Sequence, residues 1–125
     1  MDKPTIQVGS KKIEIWPEGQ SLAVKADPTI KVTRFDDIDD YHPGLIAQIL
    51  AMERQGKGTR FMRGGRGVGG TKIHHIEQWG FAEAELINAR AMTLFKTVLD
   101  FDEAVTDLSW ATISRSGEYC MPHSH

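Results

Sequence analysis

Residues 81–99 carry Leu86, Ile87, Ala91, Leu94, Phe95, Val98 and Leu99 at intervals of three and four, which an α-helix lays along one side. Glu83, Glu85, Arg90 and Lys96 fall on the other side. The acids in the first turns and the lysine near the end complement the helix macrodipole. A long helix with one apolar stripe is stable only when other elements cover that stripe, so it constrains everything around it. The elements available are short. Thr5–Val8 and residues 12–16 alternate apolar and polar side chains around Gly9-Ser10, the pattern of a hairpin. Residues 30–35 read as another strand, entered through Asp27-Pro28. Leu45, Ile46, Ile49, Leu50 and Met52 predict a second helix over about 43–55, with Pro43 in its first turn and Asp39 or Asp40 as cap. Residues 107–115 alternate again, with Leu108, Trp110 and Thr112 on one face and Ala111 and Ile113 on the other. Short strands before and after two helices give the α+β class, and residues 1–125 read as one domain.

Composition narrows the class of partner. The chain has 125 residues, 40% apolar and 26% charged, enough for an ordinary buried core. A net charge of −2 gives no reason to expect nucleic acid. No apolar run approaches the roughly 20 residues of a membrane span, and Met1-Asp-Lys-Pro-Thr lacks a signal pattern, so no membrane association is expected. A single cysteine, Cys120, excludes an internal disulfide and suits a reducing compartment. The expectation is a soluble cytoplasmic protein, with a homodimer allowed.

Three other stretches carry less chemistry than they first suggest. Residues 36–40, Asp-Asp-Ile-Asp-Asp, lack calcium-loop spacing and its closing glutamate, and read as a solvated helix entry. Residues 56–70 hold seven glycines with Lys57, Arg60, Arg63 and Arg66, so they read as an irregular basic loop. Neither phosphate-binding glycine motif is present there, and only Phe61 interleaves the arginines. The loop is therefore a candidate wall for an anionic ligand or a patch for a partner. His74 and His75 are adjacent, so on a strand they face opposite ways and cannot hold one ion together.

The richest chemistry is at residues 110–125, Trp-Ala-Thr-Ile-Ser-Arg-Ser-Gly-Glu-Tyr-Cys-Met-Pro-His-Ser-His. On an extended chain His123 and His125 share a face and present two imidazoles together, which iron, zinc, nickel and copper all accept. Gly117, six residues before His123, permits a bend. This run resembles the start of the metal-binding strand in 2-oxoglutarate/iron(II)-dependent oxygenases. It is closest to a branch in which a Trp-led strand runs through Arg-x-Gly to Pro-His-x-His. In that superfamily short strands and two long helices precede a double-stranded β-helix, or jelly roll, and the order of elements here matches. The resemblance covers the chain as architecture and about sixteen residues as motif.

The resemblance implies a jelly roll begun but not completed within these residues, with Fe(II) as cofactor and 2-oxoglutarate as co-substrate. The implied activity is a dioxygenase reaction that couples decarboxylation of 2-oxoglutarate to oxidation of a substrate C–H bond, usually hydroxylation. His123 maps onto the first metal ligand. His125 falls where the family pattern has Asp or Glu, so it either replaces that carboxylate or stands beside the metal. The distal histidine and the arginine for the 2-oxoglutarate carboxylate are expected well beyond His125. Gly117-x5-His123-x-His125 is also similar to the first half of the cupin motif, which shares the jelly-roll core. A cupin-type metal protein is the alternative function, and a non-catalytic domain using the Gly/Arg loop 56–70 to bind a partner is the third. Arg115, Arg63 and Arg66 are candidates to face an anionic substrate.

Overall fold

The computed structural model describes residues 3–24, 30–60 and 67–120. In chain order these hold β1 (Thr5–Val8), β2 (Lys11–Glu14), β3 (Ala23–Val24), β4 (Lys31–Val32), α1 (His42–Arg54), β5 (Thr59–Arg60), β6 (Gly67–Val68), β7 (Thr71–His74), α2 (Ala82–Leu99), β8 (Trp110–Ile113) and β9 (Tyr119–Cys120). The class is α+β, two helices with small antiparallel sheets. β1 pairs with β2, β3 with β4 and β6 with β9, while β5, β7 and β8 form a three-stranded sheet in that order.

The first hairpin forms as its sequence predicts. Gly9 takes φ 61°, the left-handed conformation a two-residue hairpin turn needs, and Thr5 pairs with Glu14 and Val8 with Lys11. Alternation then puts Ile6, Val8 and Ile13 on one face. That face meets the first half of α2, where Leu86 is fully buried. Val8, Ile13, Tyr41 and Leu86 form the core, and Ile6, Ile15, Ala82 and Ile87 pack against it.

Both helices lie where periodicity predicts them, but their details differ. No side chain caps α1; Asp40 instead pairs with Lys11 at 2.5 Å, so the expected aspartate cap is absent. Pro43 sits in the first turn as expected. On α2 the expected outward residue Arg90 is buried, at 4% exposure. Its guanidinium grips both oxygens of Asp37 (2.8 and 2.7 Å) and donates to the carbonyls of Ile15 (3.1 Å) and Glu14 (2.9 Å). It also stacks on Phe35, 3.9 Å from the ring centre. A cation so fully bonded can be buried, because its desolvation is offset by charge-assisted bonds. Conversely, the C-terminal half of the apolar stripe is uncovered: Phe95, Val98 and Leu99 are exposed.

Residues 56–70 are not irregular throughout. β5 pairs with β7 near one end of the segment, and Gly67 and Val68 pair with Cys120 and Tyr119 near the other. Partner strands supply the hydrogen bonds that local glycine content argued against. β7, which periodicity did not single out, is the centre of the three-stranded sheet and buries Ile73 at 1% exposure. The strand expected over residues 30–35 shortens to Lys31–Val32.

Candidate functional site

β8 leads to the terminal motif through a turn at residues 115–118. The Glu118 N–H donates to the Arg115 carbonyl at 2.9 Å, and Gly117 has φ 84°. That is the left-handed third position for which such turns favour glycine. The Glu118 carboxylate closes the turn a second time by accepting from the Arg115 N–H at 2.7 Å. Its other oxygen accepts from the Gly70 N–H (2.9 Å) and from Arg60 (2.7 Å). One side chain therefore joins the turn, the start of β7 and the end of β5. Gly69, at φ 72°, passes so close that a Cβ there would overlap the Glu118 carboxylate.

The Arg115 side chain goes elsewhere. It forks onto Glu53 in the last turn of α1, with contacts of 2.9 and 2.5 Å. Arg115, a candidate to face an anionic substrate, is half exposed, and its guanidinium already holds a carboxylate of the fold. Arg115 holds Glu53 down to about pKa 2, against the opposing effect of burial, with the Thr71 hydroxyl and the Arg60 charge adding to it. The Glu118 carboxyl also lies below the usual carboxylate value, first because of the Arg115 and Gly70 amides and then because of Arg60. Both acids are held as anions, which suits structural anchoring and leaves neither poised to exchange a proton near neutral pH.

A second polar group secures the entry to β8. Oriented to satisfy its neighbours, the buried Asn88 amide accepts from the Glu77 N–H at 3.2 Å and donates to Ser109 (3.2 Å) and Asp107 (3.3 Å). The Ser109 hydroxyl in turn donates to Glu77 at 3.2 Å. Beside it, a hollow of about 440 Å³ is lined by Ala91, Met92, Phe95, Val105, Thr106 and Asp107. Among the described residues that line it, the carboxylate of Asp107 takes the Asn88 amide.

His123 and His125, the expected metal ligands, lie outside the described residues, as do Arg63 and Arg66. Among the described residues, no three His, Cys, Asp or Glu side chains come close enough to hold an ion. β9 ends at Cys120, three residues before His123. His74 and His75 are exposed; their rings are 5.9 Å apart and tilted, and His75 contacts Glu77 at 3.3 Å. Glu53, Gly70 and Glu118 are what sequence reading missed, and Arg60, read as part of a basic loop, pairs with Glu118. Arg115 and Glu53 stand 62 positions apart, and no local spacing signals such a pair. No helix among the described residues is long and apolar enough to cross a membrane. No family model, curated protein or solved structure matches the chain.

Proposed function

We propose that this chain carries the first metal-binding strand of a 2-oxoglutarate- and Fe(II)-dependent oxygenase with a jelly-roll core. The observation that carries the reading is the strand–turn–strand at Trp110–Ile113, residues 115–118 and Tyr119–Cys120, which immediately precedes the Pro122-His123-Ser124-His125 motif in the sequence. A metal-binding edge needs a bent, anchored strand rather than a free tail, and the turn at Gly117 supplies the bend. Antiparallel pairing of every described strand is also what a jelly roll uses.

Two neutral imidazoles are a donor set that iron(II) accepts, usually alongside one carboxylate with positions left open. His123 would be the first ligand, and His125 would take the place at which the family pattern has a carboxylate. When bound, the metal with 2-oxoglutarate and oxygen would supply the oxidation of a substrate C–H bond, while the protein positions the reactants and excludes water. Iron binding and 2-oxoglutarate turnover test the reading in the full-length protein. His123→Ala should abolish stoichiometric iron binding and turnover together; undiminished binding and turnover would remove His123 from the site.

A further inference from the structure

The last turns of α2 leave Phe95, Val98 and Leu99 exposed, and the chain then turns back on the helix. The Phe101 N–H donates to the Lys96 carbonyl at 2.9 Å, and residues 101–109 return without forming a helix or strand until Asp107 and Ser109 meet Asn88 of α2. The hollow of about 440 Å³ lies between helix and return. Among the described residues its walls are Ala91, Met92 and Phe95 from α2 and Val105, Thr106 and Asp107 from the return. Small-molecule sites typically span about 300–1,000 Å³ and are mostly apolar, with a few placed polar groups.

The charged group in these walls is Asp107, and the fold holds it in place. Its carboxylate accepts from the buried Asn88 amide at 3.3 Å, and the same amide is tied to Ser109 and to the Glu77 N–H. A carboxylate anchored in this way is oriented before any ligand arrives. The surrounding charge has one sign. Residues 97–114 contain Asp100, Asp102, Glu103 and Asp107 and no lysine or arginine. The flanking cations are Lys96 and Arg115, and Arg115 is already held by Glu53. A carboxylate or phosphate on a ligand would meet like charge at this wall. An ammonium would meet opposite charge beside apolar surface, where attraction is less screened than in bulk water.

We propose that the hollow is a binding site for a small hydrophobic amine. The apolar body lies between Met92, Phe95 and Val105, and the ammonium donates to the Asp107 carboxylate. The site shares no residue with the motif at His123 and stands or falls apart from the metal reading.

Titration of the full chain with octylammonium, octanol and octanoate tests it, since these probes share an alkyl chain and differ in the charge of the head. NMR of isotope-labelled methionine methyls locates the binding: the Met92 signal should shift saturably with octylammonium, and that of Met52 on α1 should not. Octylammonium should bind about tenfold more tightly than octanoate, with octanol between them. Asp107→Asn keeps an acceptor for the Asn88 amide but removes the charge, so it should bring octylammonium and octanol to within about twofold of each other. Ala91→Phe places a ring in the hollow and should weaken octylammonium by about tenfold. Melting curves show whether each variant folds. A Met92 signal that ignores octylammonium, octanoate binding as tightly as the amine, or a preference for ammonium that survives Asp107→Asn would each overturn the proposal. Undiminished binding in a folded Ala91→Phe would do the same. If a variant does not fold, the ranking of the three probes and the Met92 shift on the unaltered chain decide.

Discussion

Arg90→Met removes the guanidinium while keeping an unbranched apolar stem beside Phe35. Four hydrogen bonds disappear: two to Asp37, and one each to the carbonyls of Ile15 and Glu14. Removing one partner of a buried ion pair typically costs about 3–5 kcal/mol, because the other charge is left without compensation. The Asp37 side chain keeps 28% of its exposure, so water recovers part of that, and the expected loss is about 2–4 kcal/mol. For a domain of this size that corresponds to a fall in Tm on the order of 10 °C. Urea unfolding followed by far-UV circular dichroism and by tryptophan fluorescence measures it; Trp16 meets Phe35 edge-on at 5.7 Å, beside the lost cation. Protonation gives a second reading. Asp37 lies below its ordinary 3.8, chiefly through its hydrogen bonds to Arg90. A lowered folded-state pKa contributes stability that is present above the ordinary value and lost as pH falls through the folded one. Arg90→Met should therefore also flatten the stability profile below about pH 4. A loss under about 1 kcal/mol would refute the argument, since it would mean the four bonds are replaced by water without cost.

Gly117→Ala and Gly69→Ala separate backbone strain from collision. Both glycines have positive φ, which costs about 1–2 kcal/mol for alanine, but only Gly69 has the Glu118 carboxylate in the way, so Gly69→Ala should be the more destabilising in denaturant unfolding. Glu53, held near pKa 2, contributes stability present above its ordinary 4.5 and lost as pH falls toward 2; Tm measured from pH 6 to 2 should drop through that window, and Glu53→Gln should lessen the drop. An unchanged profile in Glu53→Gln would show that the Arg115 pair does not stabilise the fold. Leu86→Ala, at a fully buried site, should cost about 2–5 kcal/mol, whereas Leu99→Ser should stay within about 0.5 kcal/mol; equal losses in urea unfolding would contradict the burial of α2 described above.

The parts of the fold legible in the sequence are those set by local spacing. The hairpin at Gly9 and both helices are read from periods of two and of three to four, and the bend at Gly117 from a residue that tolerates positive φ. β5, β6 and β7 were not legible, because two of them are two residues long and owe their form to partners distant in the chain. The polar anchors were hidden for the same reason. Glu53 reads as an ordinary charged residue in the last turn of a helix, and Glu118 as one of several acids; only the fold brings Arg115, Arg60 and the Gly70 amide to them.

Arg90 and the α2 stripe show why an amphipathic pattern overstates burial. Periodicity reports which face a helix can present to apolar surroundings; it does not say how far along the helix those surroundings extend. Here the cover is the β1–β2 hairpin with Tyr41, and it reaches the first half of α2. Beyond Ala91 the same stripe meets no comparable layer among the described residues, and Phe95, Val98 and Leu99 remain exposed. Arg90, by contrast, falls off the apolar stripe yet sits over the end of β2, where the carbonyls of Glu14 and Ile15 and the Asp37 carboxylate need donors. Burial there follows demand for hydrogen bonds, not hydropathy. The same rule governs the turn before β9, where Glu118 collects donors that the short strands leave unpaired. In a chain whose described sheets are this small, charged side chains take over part of the backbone pairing that longer strands would provide.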